Sequence, residues 1–514
     1  MYGRVAGIAL LGVGGHRVAV EAVVGRGLPS LSFTGLPGAT VQDGRERIRP
    51  AAEHSGLEWP LRRVVVNLAP ANLRKDGPGL DLPIAVAVAA ATAQVPAAGL
   101  AGVALFGELS LKGAVLAPPG VLAAAIAAAG SGCEILVVPA ANAAEAAQVG
   151  GLRVVAAATL AEVVGFLRGT WEAPPVNAHA SEPDLHHAVD LAEVRGQSQA
   201  RRALEIAAAG GHNLLMVGSP GAGKTMLSRR LATILPDLTP PEALEATQIW
   251  SIAGLLGGRG VLRQRPFRAP HHSISTAGLL GGGTVLARPG EASLAHQGLL
   301  FLDELTEFRR DAVEALRQPL EDGQIVVTRT GGSVTFPARF TLVAAANPCP
   351  CGFRGDPMRA CTCRDDQVHR YRQKLSGPLL DRIDLRLAVP RLTKDELMGA
   401  ADGETSAVVR VRVEEARARQ RHRYRDLSAT CNAHLPGPLA RRFGALDDGA
   451  SDVLAAAVDQ MALTGRGFDR VLKVARTIAD LAGKTLVEMD HVAEALAYRT
   501  AFDHDARRIL ADAG

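Results

Sequence analysis

A chain of 514 residues has room for about three domains, and 47% hydrophobic against 21% charged residues allows large cores and excludes general disorder. The balance of 56 basic to 52 acidic residues leaves a net charge of +4, which permits an anionic partner without demanding one, and 4% aromatics argues against a surface that stacks on bases along its length. Six cysteines exclude a disulfide scaffold and fit a reducing compartment, so the chain is read as cytoplasmic.

The first 170 residues are rich in Ala, Val and Gly. Arg4 followed by Val5–Gly14 has the outline of a signal peptide but no small-residue cleavage site, and reads as a first strand. Arg62–Leu68 (RRVVVNL) and Glu134–Pro139 (EILVVP) read as buried strands, and Leu82–Ala93 and Val121–Ala129 as helices. Leu82–Gly107 carries no charge, but its Ala and Gly content and the interruptions at Pro83 and Pro96 make it a buried helix then a strand, not a membrane span. Thr170–His187 (TWEAPPVNAHASEPDLHH) has no periodicity and reads as a linker. The expected division is 1–170, a linker at 171–189, an α/β unit at 190–395 and a helical unit at 396–514.

From about 190, strands and helices alternate as in a parallel α/β sheet, with central strands expected at Asn213–Val217, Leu299–Leu302, Phe340–Ala345 and Asp384–Val389. Between the first of these and a helix lies Gly218-Ser219-Pro220-Gly221-Ala222-Gly223-Lys224-Thr225, the G-x-x-x-x-G-K-[ST] pattern in its required context. Its glycines let backbone N–H groups close on phosphate, and the helix N-terminus adds a favourable dipole. Lys224 is expected at the β- and γ-phosphates of ATP and the Thr225 hydroxyl on Mg²⁺. Strand GLLFL delivers Asp303 to the Mg²⁺ shell and Glu304 to the attacking water. Strand FTLVAAA ends in Asn347, placed to hold that water, although an Asn before Pro348 also suits a turn.

Ile325–Phe336 (IVVTRTGGSVTF) reads as a hairpin turning at Gly331-Gly332, which sets Arg329 opposite Val334, one pair from the tip. Cys349-x-Cys351 and Cys361-x-Cys363 offer four thiols, enough for a tetrahedral structural Zn²⁺ that would staple the loop behind Asn347, with His369 a spare ligand. The basic run Arg410–Arg425 is either a solvated helix face or a nucleic-acid or subunit contact. His271-His272 has no metal spacing and reads as a turn or an interface.

The segments VRGQSQARRALEIAAAGGHNLLMVGSPGAGKT, FRAPHHSIS, PGEASLAHQGLLFLDEL, LRQPLEDG, AAANPCPCG and SGPLLDRIDL resemble the AAA+ ATPases of the branch holding magnesium-chelatase ATPase subunits and MCM helicases, and within it the YifB/ComM family. The resemblance covers nearly the whole chain. It implies an AAA+ core with a C-terminal helical lid, with Val194, Arg195 and Gln197 bordering the adenine. It implies Arg382 as an arginine finger reaching a neighbouring subunit's ATP, and Arg466, or else Arg470, as the sensor-2 arginine. A finger acting in trans implies a ring, a homohexamer in this family. By analogy with the helicases, Arg329 touches a DNA phosphate in the channel; the alternatives are solvent or, as in a chelatase, protein. The implied activity is ATP-driven DNA translocation, with branch migration in homologous recombination and natural transformation and recombination proteins as further partners; a chelatase-type ATPase remodelling a protein partner is the rival. Asn72–Pro83 (NLRKDGPGLDLP) and Gly107–Gly113 (GELSLKG) resemble Lon-type peptidase domains, so the first 170 residues are expected to fold as a Lon-like (ribosomal S5 domain 2-like) α/β domain. Gly79 stands where that family's nucleophilic serine is expected, so peptidase chemistry is not expected.

Overall fold

The computed structural model describes residues 1–176, 189–257, 260–283, 287–329, 332–375, 377–399, 403–427 and 429–500. Most of the expected linker therefore lies outside the described residues. The first unit is a mixed seven-stranded sheet of β1 (Tyr2–Leu11), β2 (Gly14–Val24), β3 (Ser30–Thr34), β4 (Arg63–Ala69), β5 (Val103–Leu105), β6 (Ile135–Pro139) and β7 (Arg153–Ala157). Its order is β3-β4-β2-β1-β5-β6-β7. Strands β1 and β2 pair antiparallel, whereas β5, β6 and β7 run parallel. Helix Asp81–Ala91 is apolar on all sides and buried along nearly its whole length, in keeping with its lack of an amphipathic period. The uncharged stretch is thus a core helix followed by β5, and no described helix is long and apolar enough to cross a membrane.

The second unit comprises β8 (Leu214–Val217), β9 (Phe267–Arg268), β10 (Leu299–Leu302), the hairpin β11 (Gln324–Arg329) and β12 (Gly332–Pro337), then β13 (Thr341–Ala346) and β14 (Leu385–Ala388). Five of these form a parallel sheet in the order β9-β10-β13-β8-β14. Both faces are covered, as a parallel sheet requires, and alternate side chains serve two cores. Leu214, Met216, Phe301 and Val343 meet helices Ser198–Gly210 and Lys224–Thr233 and the C-terminal helices. Leu215, Leu300, Leu342 and Ala344 meet Phe308, Leu316, Leu379 and Ile383. The four central strands lie where the sequence puts them, within a residue at either end; the two-residue β9 is too short to leave a pattern.

After Pro390 the described chain is helical, with Ser406–Arg423, Asp448–Gln460, Gly465–Leu481 and Met489–Thr500 sharing the first of these cores. Several arginines of the first helix turn toward its neighbours. Arg410 donates to the Thr233 carbonyl, Arg412 to Glu205 and Glu404, Arg417 to the Ala208 carbonyl, and Arg423 to the fully buried Asp480. Most of this basic run cements the helix to its neighbours.

The hairpin register corrects the sequence reading. Arg329 pairs with Gly332, not Val334, and Thr328 pairs with Ser333; residues 330 and 331 lie outside the described residues. This register sets the two buried side chains Ile325 and Phe336 opposite each other, and packing outweighs the Gly-Gly signal.

The two units touch. Gln248 Nε2 donates to the Val13 carbonyl and Gly120 N to the Ser251 carbonyl (3.0 Å). At the turn between β1 and β2, Gly12 has φ +62°, and a Cβ there would lie 2.7 Å from Val334 Cγ1 of the hairpin.

Candidate functional site

Parallel strands gather functional residues at their carboxyl ends, and β8, β10 and β13 do so here. The phosphate loop leaves β8 at Gly218, whose missing Cβ makes room for the Val389 carbonyl. Gly221 (φ +80°) and Gly223 (φ +90°) take backbone conformations open to glycine, and the space above Gly221 is empty, so the loop is a cradle of N–H groups. Lys224, which opens the following helix, is 8% exposed. Its ammonium donates to the carbonyls of Gly218 (2.6 Å) and Ser219 (3.1 Å) and to Asn347 Oδ1 (3.2 Å). Burial pulls its pKa down, against the nearby carboxylates of Asp303 and Glu304, which push it up.

Thr225 Oγ1 lies 2.5 Å from Asp303 Oδ2. The hydroxyl and carboxylate oxygens that a Mg²⁺ ion would need are therefore already side by side, and with the open cradle the residues fit Mg–ATP. Glu304 follows at φ +51°, a left-handed conformation unusual for a side chain of this size; its N–H is held by Asp303 Oδ1 (2.9 Å), and its carboxylate is exposed. His272 Nδ1 lies 3.5 Å from Glu304 Oε2, and the His272 ring packs edge-on against Phe308. The sequence offered no partner for this histidine; it is brought in from the segment after β9.

Beside the cradle, Val194 is fully buried in the core, and Gln197 (φ +49°) donates to the Ala222 carbonyl at 2.9 Å. Arg195 is tied to the Leu397 carbonyl, which leads toward the helical region. Arg382 is 7% exposed and turned to the Glu321 carboxylate and the Pro378 carbonyl. Arg466, an exposed residue, lies 3.9 Å from the same Glu321 oxygen. Arg470, the alternative sensor-2 residue, is instead anchored to Asp384 Oδ1 at 3.3 Å, and Asp384 in turn accepts from Asn213 N and neighbours His212. That network makes Arg470 part of the frame and leaves Arg466 the freer of the two. Arg329 lies on the hairpin, away from the strand ends in sequence and in sheet.

The four thiols converge. The sulfurs of Cys349, Cys351, Cys361 and Cys363 all lie within 4.8 Å of one another, with Cys349 fully buried. Backbone N–H groups of Phe353 and Thr362 draw the Cys351 thiol down, whereas at Cys361 and Cys363 a backbone hydrogen bond is outweighed by burial and the neighbouring thiols, which push those two up, so the protons belong to the cluster and not to one sulfur. His369 is not among them; its ring meets Gln373 at 2.9 Å, which removes it as a spare ligand. In the first unit, a Cβ on Gly79 would overlap the Phe106 ring, so the position of the missing serine is filled by an aromatic side chain. Lys75, in the turn before it, is fully buried with its ammonium on the carbonyls of Gly35 (2.8 Å) and Pro70.

A parallel P-loop sheet with an Asp-Glu strand end, a polar third strand and a C-terminal helical region is the architecture of an AAA+ ATPase of the magnesium-chelatase type. The family models agree: residues 190–397 match magnesium chelatase, subunit ChlI; residues 20–142 match subunit ChlI of Mg-chelatase; and residues 403–499 match the C-terminal part of that subunit. The chain is 46% identical over 499 residues to a Mycobacterium tuberculosis protein, covering 97% of this chain and 98% of the relative. It is 44% identical over 494 residues to YifB of Escherichia coli and 42% over 497 residues to competence protein ComM of Haemophilus influenzae, each covering 96% of both chains. The chain belongs to the YifB/ComM family of magnesium-chelatase-like AAA+ proteins.

Proposed function

We propose that this protein is an ATP-driven ring motor that moves on DNA and migrates branched junctions. The observation that carries the ATPase half is the convergence of residues far apart in the chain. Lys224 reaches Asn347, and Thr225 reaches Asp303, at the ends of three neighbouring strands. Bound Mg²⁺ would draw charge from the phosphates. Lys224 would add its own positive charge there, Glu304 would take the proton of the attacking water, and Asn347 would orient that water. Arg382 stands at the arginine-finger position of the family resemblance; released from Glu321 and Pro378 it would act across an interface, against the nucleotide of a neighbouring copy, with Arg466 beside it. That requires a closed ring, and a homohexamer is the form proposed. The proposed division is residues 1–170, 171–189, 190–395 and 396–514, the first without peptidase activity because Gly79 has no side chain to act as nucleophile.

The DNA half is supported by the relative named as a competence protein and by Arg329 next to the hairpin tip. A phosphate contact there would be independent of sequence and weakened by salt. The test is steady-state ATP turnover without DNA and with single-strand, duplex and four-way-junction DNA, for wild type, Glu304→Gln and Arg329→Ala. The proposal expects stimulation by DNA that Arg329→Ala loses while keeping its basal rate, and turnover lowered by about 10²–10⁴-fold in Glu304→Gln. A second reading, remodelling of a protein partner, draws on the chelatase-subunit family models. It replaces the first if no DNA changes the rate and none binds at low salt. The four cysteines are proposed to hold one structural Zn²⁺.

A further inference from the structure

Building on the reading of the four cysteines as a zinc site, we propose that the metal-held loop from Cys349 to Cys363 is a buttress for the phosphate loop, so that losing the ion weakens ATP binding. The chain leaves Asn347 through Pro348 directly into the first cysteine, so the polar end of β13 and the cluster are one continuous piece of backbone. Gly352, between the first two and the last two cysteines, has φ +84°, and a Cβ there would lie 2.7 Å from Pro220 Cδ. The backbone of the cysteine loop therefore rests on the tip of the phosphate loop with no space between them. Farther along, Asp356 accepts from the N–H groups of Met358 (2.9 Å) and Arg359 (3.0 Å). The adjacent Ser219 side chain is the first influence holding the Asp356 carboxyl below its ordinary range.

Besides these contacts the loop has a surface ion pair of Arg354 with Asp365 (2.8 Å) and the Arg359 guanidinium over the Phe353 ring, but no packed core. Residues 351–364 contain no helix or strand, and Gly352 is their one buried residue. Behind the loop is a cavity of about 560 Å³, lined by Gly218, Ser219, Asn347, Arg354, Asp356 and Arg391 among others. A loop of this length with no core of its own is held by something other than apolar packing. Four thiolates on one zinc ion supply that restraint, and ion binding is then folding energy for the loop. The phosphate-binding N–H groups of Gly218–Gly223 depend on fixed positions, and displacement on the order of 1 Å at such a site is costly. Among the described residues, the hydrogen bonds of the Cys361 and Cys363 sulfurs go to the other cysteines of the loop, so these two act on nucleotide binding through the loop.

The test uses the full-length protein. Zinc is counted by plasma mass spectrometry, and the Kd of a fluorescent ATP analogue is measured in excess Mg²⁺. The two measurements are made on wild type, Cys361→Ser, Gly352→Ala and wild type treated with a chelator that binds zinc and not magnesium. The expected result is one zinc per chain, lost in Cys361→Ser and in the chelated protein, with Kd raised by at least about tenfold in both. Gly352→Ala keeps its zinc and weakens the analogue comparably, because the metal is intact and the contact with Pro220 is spoiled. One zinc per chain with Kd unchanged on its removal overturns the buttress and leaves the zinc reading standing. A wild-type protein without zinc overturns the zinc reading and with it a metal-held buttress. A circular-dichroism melt on each variant separates local loosening from global unfolding.

Discussion

Two glycine-bearing turns in this molecule have opposite fates. Gly221 in the phosphate loop faces open space, whereas Gly79 in the first unit backs onto the Phe106 ring, with no room for even a Cβ. Each belongs to a turn that resembles the active turn of an enzyme family. The first leaves open space beside a buried ammonium and a carboxylate; the second has a glycine and no space for a side chain. Lys75, in the turn before Gly79, is likewise committed to the carbonyls of Gly35 and Pro70. Lys224 rests on carbonyls too, but at the mouth of the cradle, where a phosphate can exchange for them. The difference teaches that a turn motif is a promise of chemistry only where the surrounding side chains leave it room.

The comparison can be pressed hardest on the ATPase side. Arg382→Ala should lower kcat by about 10³–10⁵-fold with nucleotide binding retained, the magnitude for a charge-stabilising arginine finger. A smaller effect, or one equal in dilute and concentrated protein, would remove the ring from the account. Glu304→Gln should lower kcat by about 10²–10⁴-fold without weakening nucleotide binding, since only proton acceptance is lost; a filter-binding measurement beside the turnover assay separates the two. On the other side, Gly79→Ser should yield no peptidase activity and should cost about 1–3 kcal/mol in a denaturant titration, because the added atoms meet Phe106. Cleavage of a casein substrate by this variant would break the contrast.

An effect of similar size, but set by pH, is confined to the first unit. Asp81, 1% exposed, is bound by Arg47 (2.9 Å) and the Leu109 N–H (3.4 Å). Burial outweighs Arg47 and pushes its pKa to about 6. The folded form thus keeps a proton that the unfolded chain gives up near pH 4. Its contribution is fully present below that pH and is lost as pH rises through about 6, a change of at most about 3 kcal/mol. The stability difference between wild type and Asp81→Asn, followed by urea titration from pH 4 to 7, should shift against wild type over that window and stay flat above it.

What was legible in the sequence was local. The phosphate loop, the Asp-Glu strand end and the polar end of β13 each follow a short apolar strand, and strand, turn and helix signals lie within a dozen residues. The four thiols were legible for the same reason, two close pairs on one loop. What was not legible joins distant segments. His272 at Glu304, Glu321 between Arg382 and Arg466, and Phe106 behind Gly79 depend on how elements cross in space. The hairpin register was missed because Gly331-Gly332 is a strong turn signal, while the pairing of Ile325 with Phe336 is decided by burial. The basic C-terminal helix was left open between a solvated face and an outside contact, and neither describes Arg410, Arg412, Arg417 and Arg423, whose guanidiniums are taken by carbonyls and carboxylates of this chain.

The contact between Gly12 and Val334 has a mechanical consequence. The hairpin is not a free cantilever: its returning strand leans on the turn joining the two longest strands of the first sheet. Any load on the hairpin is therefore shared with the first unit, which also grips helix Pro240–Ala253 through Val13 in that turn and Gly120 at the start of helix Val121–Gly130. The first unit is thereby placed to set the stiffness of a hairpin that belongs to the second.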